Sequence, residues 1–164
     1  MTQGDTLTIR RADEGDAAAL LPLANAFYAG PEYATTQEDL ARHLRAMLAD
    51  PRSAIILAED GANGPVGFVA ATLSTGLEFG VMAEIEDLYV RPGQRGKQIG
   101  SRLMVAVLDW CGKAGAHEVF LVIAQQGEPA RQLERMYLRL GFAPSRRRLM
   151  YRALGASETE RKGP

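Results

Sequence analysis

The segment 81–100 constrains this chain more tightly than any other. Residues 81–90 have strand character and end at Arg91-Pro92-Gly93, where proline removes a backbone donor and stops the ladder. A basic, glycine-bearing loop follows, Gln94-Arg95-Gly96-Lys97-Gln98-Ile99-Gly100, and it opens a helix. Ile99, Leu103, Ala106, Val107, Trp110 and Ala114 recur three or four apart, giving that helix one apolar face. Gly115 stands where a left-handed C-terminal cap belongs. Val119-Phe120-Leu121-Val122-Ile123 is a continuous apolar run, the pattern expected of a strand buried on both faces. Pro129 fits the first turn of a further helix, with Leu133, Met136, Tyr137 and Leu140 as its apolar face and Gly141 as its terminator.

The flanking sequence completes the order. Leu7-Thr8-Ile9-Arg10-Arg11 alternates with the period of a half-buried strand. Asp13 caps a helix whose apolar face is Leu20, Leu23, Ala24 and Phe27, and Gly30-Pro31 breaks it. Thr35 with Glu38 forms a capping-box signature ahead of Leu40, Leu44, Met47 and Leu48, and Asp50-Pro51 ends that second helix. Strands over 54–58, 66–73 and 81–90, separated by turn residues, predict an antiparallel meander across 51–90. A closing strand is expected over 149–154. The order β-α-α-β-β-β-α-β-α-β specifies a mixed α/β domain over 1–154, and the polar tail 155–164 is expected to be disordered.

Bulk properties exclude several classes. A chain of 164 residues with 46% hydrophobic and 24% charged residues suits one soluble domain with a real core. A net charge of -1 lacks the basic balance of a nucleic-acid binder. No apolar run reaches the roughly 18 residues of a membrane span, and the polar start lacks a secretory h-region. The single cysteine, Cys111, precludes an intramolecular disulfide and fits a reducing cytoplasm; with His43 and His117 as the remaining soft ligands, no structural metal is expected. Arg146-Arg147-Arg148 reads as a solvated turn.

Three features carry chemistry. A turn with glycines opening a helix aims backbone N–H groups and the positive end of the helix dipole at one spot; Arg95 and Lys97 add to that field, and the matching ligand is a phosphate or pyrophosphate. The spacing is neither that of a P-loop nor of a GxGxxG dinucleotide loop. The strand leading into the loop carries Glu84, Glu86 and Asp87; by strict alternation Glu84 and Glu86 share one face and Asp87 takes the other. Crowded carboxylates raise one another's pKa and suit proton acceptance near neutrality. Tyr137 is the third feature, a helical tyrosine shortly before Gly141-Phe142.

Together these features resemble the GNAT superfamily of acetyl-CoA-dependent N-acetyltransferases. The likeness runs from about Leu7 to Leu154 in element order and is specific over 84–142. The family's loop pattern, Gln/Arg-x-x-Gly-x-Gly/Ala, is matched at Arg95 and Gly100, whereas Gln98 stands where its first glycine belongs. The resemblance implies a GNAT-like mixed sheet of six to seven strands with about four helices. It implies that backbone groups around Leu88, Tyr89 and Val90 pair with the pantetheine arm of acetyl-CoA. Gln94, Arg95, Gly96, Lys97, Gln98, Ile99, Gly100 and Ser101 would hold the pyrophosphate, largely through their backbone.

The implied chemistry is direct acetyl transfer to a primary amine, with no covalent intermediate and no metal. Glu86 is the expected proton acceptor, with Glu84 and Asp87 as rivals or as anchors for a cationic substrate, and Tyr137 is implied to protonate the departing thiolate. An asparagine frequent in the family about seven residues before that tyrosine is Ala130 here. Glu38, Asp39 and Glu78 extend the acidic character, so the expected acceptor is a small cationic amine such as an aminoglycoside or polyamine. A protein or peptide amine is the alternative acceptor, and a non-catalytic acetyl-CoA sensor the alternative function. By family analogy a homodimer is expected, with no nucleic-acid or membrane partner.

Overall fold

The computed structural model describes residues 7–30, 33–124, 127–152 and 154. Five strands form one sheet in chain order: β1 (Leu7–Arg11), β2 (Ser53–Asp60), β3 (Gly64–Gly76), β4 (Gly80–Val90) and β5 (Glu118–Leu121). The first four pair antiparallel, β2 to β4 forming the predicted meander, and β5 joins β4 in parallel. Among the described residues four α-helices accompany them: α1 (Ala17–Phe27), α2 (Gln37–Ala49), α3 (Ile99–Lys113) and α4 (Gly127–Arg139). No helix among the described residues is long and apolar enough to cross a membrane.

Alternation along the central strands builds a core on each face. Ile55 and Leu57 of β2, with Phe68 and Ala70 of β3, meet Leu20 and Leu23 of α1 and Leu44 of α2. Ile56 and Ala58, with Val69 and Ala71, meet Leu103, Met104, Val107 and Cys111 of α3. Each fully buried leucine, such as Leu57 or Leu103, contributes about 1.5–3 kcal/mol relative to exposure. Cys111 is part of this packing, and burial pushes its thiol up to about 11, so it stays a thiol at neutral pH.

Local signals hold α1 and α2 in place. Asp13 accepts from Gly15 N at 2.8 Å, and Asp16 accepts from Asp13 N at 2.9 Å, a reciprocal capping box on the single 3-10 turn Glu14–Asp16 that leads into α1. Arg10 donates to both oxygens of Asp16 at 2.8 and 2.7 Å and to Glu59 at 2.8 Å, tying β1 to that cap and to β2. The α2 cap lies one residue later than expected. Thr36, not Thr35, is the N-cap and accepts from Asp39 N at 3.1 Å, while Asp39 rather than Glu38 receives the Thr36 hydroxyl. Thr36 is extended at ψ 159°, which frees its hydroxyl to face the first turn.

Two further expectations are corrected. The sheet has five strands among the described residues rather than six to seven, because 149–152 and Leu154 carry no strand pairing; Leu149, Met150 and Leu154 are exposed. Nor is β5 buried on both faces. It lies at the sheet edge, where α3 covers one face and the other is open, leaving Phe120 43% and Val122 50% exposed. The expected disorder of 155–164 lies outside the described residues.

Candidate active site

Strand β4 organises the site through an irregularity. Ala71 of β3 pairs with Ile85 and Ala70 pairs with Asp87, so Glu86 has no partner and forms a β-bulge. Ahead of it Ala83 and Ile85 face α3; beyond it Leu88 and Val90 do, while Tyr89 joins the α1–α2 core. The inserted residue shifts the alternation by one. Asp87 therefore falls on the α1–α2 face together with Glu84, not opposite it as strict alternation predicts. Glu86 accepts from the Thr72 hydroxyl at 2.6 Å, and Thr72 belongs to that same face. All three carboxylates are gathered on one side.

Their environments differ. Glu86 is exposed. Burial, followed by the charge of Glu86, raises the Glu84 carboxyl above its ordinary range. Burial also raises Asp87; the Tyr28 hydroxyl opposes this, and Glu86 adds to it. Tyr28, just past the end of α1, donates to the two Asp87 oxygens at 2.7 and 2.8 Å. Its ring meets Phe27 and Tyr33 edge-on, at 4.8 and 4.9 Å between centroids. Nothing in the spacing of Tyr28 marks it as a site residue.

Just beyond the bulge the sheet opens. β4 pairs with β5 only from Met82 to Ile85, and among the described residues no strand pairs with β4 on that side from Glu86 to Val90. An open strand edge offers amide N–H and C=O groups to an extended ligand that itself carries amides. Leu88, Tyr89 and Val90 lie along it; the Tyr89 side chain is committed to the α1–α2 core, so its backbone alone is available. Arg95 Nε donates to Val90 O at 3.0 Å, which folds the loop back against the strand.

The loop fits an anion. Gly96 has φ +80° and Gln98, the N-cap of α3, has φ +60° and ψ 13°, both left-handed. Gln98 thus adopts a left-handed conformation that favours glycine, at a strain on the order of 1 kcal/mol. Helix geometry leaves the N–H groups of Ile99, Gly100 and Ser101 without intrahelical acceptors, pointing outward at the positive end of a 15-residue helix. The Ile99 side chain is buried, so it can serve a ligand through its N–H only. Lys97 Nζ donates to Gln94 Oε1 at 2.8 Å, which holds both side chains at the loop.

Gly100 joins these parts to α4. A Cβ added there would lie 3.7 Å from Met136 Sδ, 3.9 Å from Val90 Cγ2 and 4.0 Å from Leu88 Cδ2. The next residue of α4, Tyr137, is buried at 8% exposure and packs its ring 5.8 Å from that of Phe142. Burial raises its phenol above the ordinary value of 10.0. The open edge of β4, the start of α3 and the Tyr137 turn of α4 therefore converge.

Not every acidic residue contributes. Glu78 sits at the β3–β4 turn and pairs with Arg147 at 2.9 Å, while Arg147 stands 4.8 Å over the Phe79 ring. Asp39 is engaged by Thr36 and Arg42 at the start of α2.

Residues 18–142 match the model of the acetyltransferase (GNAT) family. The chain is 30% identical to the streptothricin acetyltransferase of Streptomyces lavendulae, over 87% of this chain and 84% of the relative. It is 32% identical to the aminoglycoside N(6')-acetyltransferase type 1 of Stenotrophomonas maltophilia, over 68% and 72% respectively. In fold it is similar to the aminoglycoside N-acetyltransferase AAC(6')-Iy in complex with CoA, with a TM-score of 0.77 and 18% identity over 93% of this chain and 98% of that one. The chain belongs to the acetyltransferase (GNAT) family and is an acetyl-CoA-dependent N-acetyltransferase.

Proposed function

We propose that this enzyme acetylates a primary amine of a small polycationic acceptor, of the aminoglycoside, streptothricin or polyamine kind. The observation that carries the reading is the gathering of Glu84, Glu86 and Asp87 on one face of β4, at the point where the strand edge opens. Carboxylates in a partly desolvated cleft attract an ammonium far more strongly than they would in bulk water. The names of the two relatives above point to the same acceptor chemistry.

Acetyl-CoA supplies the thioester. Backbone groups of Leu88, Tyr89 and Val90 align its amide-bearing arm, and the residues from Gln94 to Ser101 hold its pyrophosphate. Glu86, exposed at the bulge, accepts the proton of the incoming ammonium, directly or through a water. The freed amine nitrogen then bonds to the carbonyl carbon and gives up its second proton to solvent, while an N–H near Leu88 stabilises charge on the carbonyl oxygen. As the carbon–sulfur bond breaks, Tyr137 donates its proton to the thiolate, and solvent returns a proton to the tyrosine. The products are an acetamide, the free thiol and one released proton.

The test is an acceptor screen with acetyl-CoA, following free thiol over aminoglycosides, a streptothricin, spermidine and peptides with free amino termini. Turnover confined to the small polycations is the expected result. Turnover of the peptides alone would overturn the acceptor assignment, and acetyl-CoA binding without thiol release on any acceptor would favour a sensor.

A further inference from the structure

The Tyr28–Asp87 contact joins the end of α1 to the residue beside the bulge. The phenol proton is shared between both carboxylate oxygens at 2.7 and 2.8 Å. The ring cannot swing away freely, because Phe27 and Tyr33 hold it edge-on and Tyr28 N is fixed to Ala24 O at 3.0 Å. A phenol in this position donates to a carboxylate but offers nothing comparable to a protonated carboxyl, so it favours the anion.

We propose that Tyr28 is a positioning residue for acetyl transfer: its hydroxyl holds the Asp87 carboxylate ionised and fixed beside the bulge, where that charge orients a cationic acceptor with its amine toward Glu86. This rests on the acceptor assignment above. Tyr28 divides the work between neighbouring carboxylates. Asp87, whose oxygens are already engaged, is the fixed anchor, whereas Glu86 is exposed and accepts, among the described residues, from the Thr72 hydroxyl.

The electrostatics agree with the geometry. Burial pushes the Asp87 carboxyl upward and Glu86 adds to that, so the Tyr28 hydrogen bond is what opposes protonation. Burial and the Asp87 charge hold Tyr28 far above its ordinary range, so it remains a neutral donor at any working pH. Tyr28, just past α1, and Glu86 act on Asp87 directly; Glu84 and Tyr89 share its face of β4, Tyr33 of the α1–α2 connection stands against Tyr28, and β3 contributes the non-titrating Thr72 beside Glu86.

The test is Tyr28→Phe, which removes one oxygen and keeps the ring. Carbon-13 NMR titration of the side-chain carboxyls should show the Asp87 midpoint rising by about half a pH unit or more. The acid limb of kcat/KM for kanamycin should move upward in step, with KM for acetyl-CoA unchanged. In an Asp87→Asn background, where that carboxyl is gone, Tyr28→Phe should leave the acid limb unmoved. An unmoved Asp87 midpoint, or an equal loss in the Asp87→Asn background, would overturn the proposal and reduce Tyr28 to ring packing. If the wild-type enzyme turns over no polycationic amine, the acceptor assignment itself fails. That failure is distinguishable, because the NMR midpoint requires no acceptor.

Discussion

Thr72 donates its hydroxyl to Glu86 at 2.6 Å although the two are not cross-strand partners, since Thr72 lies opposite Glu84. The contact is diagonal, and the bulge that leaves Glu86 unpaired makes it possible. Thr72 thereby restrains a side chain that the sheet ladder itself does not fix.

Glu86→Gln is expected to lower kcat/KM for the amine by about 10²-fold, the usual worth of a positioned proton acceptor. The loss should be greatest at low pH, where fewer acceptor amines are neutral. Thr72→Val should cost only a few-fold, through position alone. Steady-state thiol release across pH measures both, and full activity in Glu86→Gln would transfer the role to Glu84.

For Tyr137→Phe the expected loss in kcat is about 10- to 100-fold, with acetyl-CoA affinity retained. Burial raises this phenol, and the donor acts in its protonated form. Its contribution therefore persists on the alkaline side up to and beyond the ordinary 10.0, and no basic limb below that should belong to it. Pre-steady-state turnover combined with calorimetric acetyl-CoA binding separates the two effects.

Gln98 provides a stability test. Gln98→Gly relieves the left-handed strain but adds freedom to the unfolded chain, for a net gain of up to about 1 kcal/mol with cofactor affinity preserved. Gln98→Val, β-branched at φ +60°, should lose about 1–2 kcal/mol. Chemical denaturation with and without acetyl-CoA measures both; equal stability of the two variants would rule out the strain.

Arg10 and Asp16 predict a pH dependence. The Arg10 guanidinium lowers the Asp16 carboxyl below its ordinary 3.8, so its contribution is complete above that value and fades as pH falls through the lower, folded-state value. Asp16→Asn should cost about 1–2 kcal/mol at pH 7, and the difference from wild type should close in strong acid. Urea unfolding at a series of pH values reads it directly.

Gly67→Ala should damage both stability and cofactor binding. A Cβ at Gly67 would lie 2.7 Å from Tyr89 O and 3.3 Å from Val90 Cα, forcing β3 away from β4 beside the open edge. A loss of about 2 kcal/mol or more is expected, with weaker acetyl-CoA binding. Unaltered binding in a folded variant would separate this strand pair from the cofactor site.

Much of this architecture is legible in residue patterns, because Pro92, Gly115, Gly141 and the periodicity of 99–114 act locally. What escapes is set by tertiary context. The bulge at Glu86 has no local signal, so period-two reasoning placed Asp87 on the wrong face. The apolar run at 119–123 encodes the capacity to be buried, not the presence of layers on both sides of β5. Tyr28 is visible as chemistry only when the end of α1 meets Asp87, 59 residues later. The departure at Gln98 is readable in sequence, whereas its left-handed backbone is not.

The bulge separates what the sheet requires from what the reaction uses. Glu86 is supernumerary to the ladder: deleting it would set Asp87 directly after Ile85, and Ile85, Leu88 and Val90 would still face α3 while Asp87 and Tyr89 faced α1. Neither core would be turned over. Losing this single codon should therefore yield a folded protein that still binds acetyl-CoA but transfers its acetyl group no faster than Glu86→Gln, so the scaffold can persist when its chemistry is weakened.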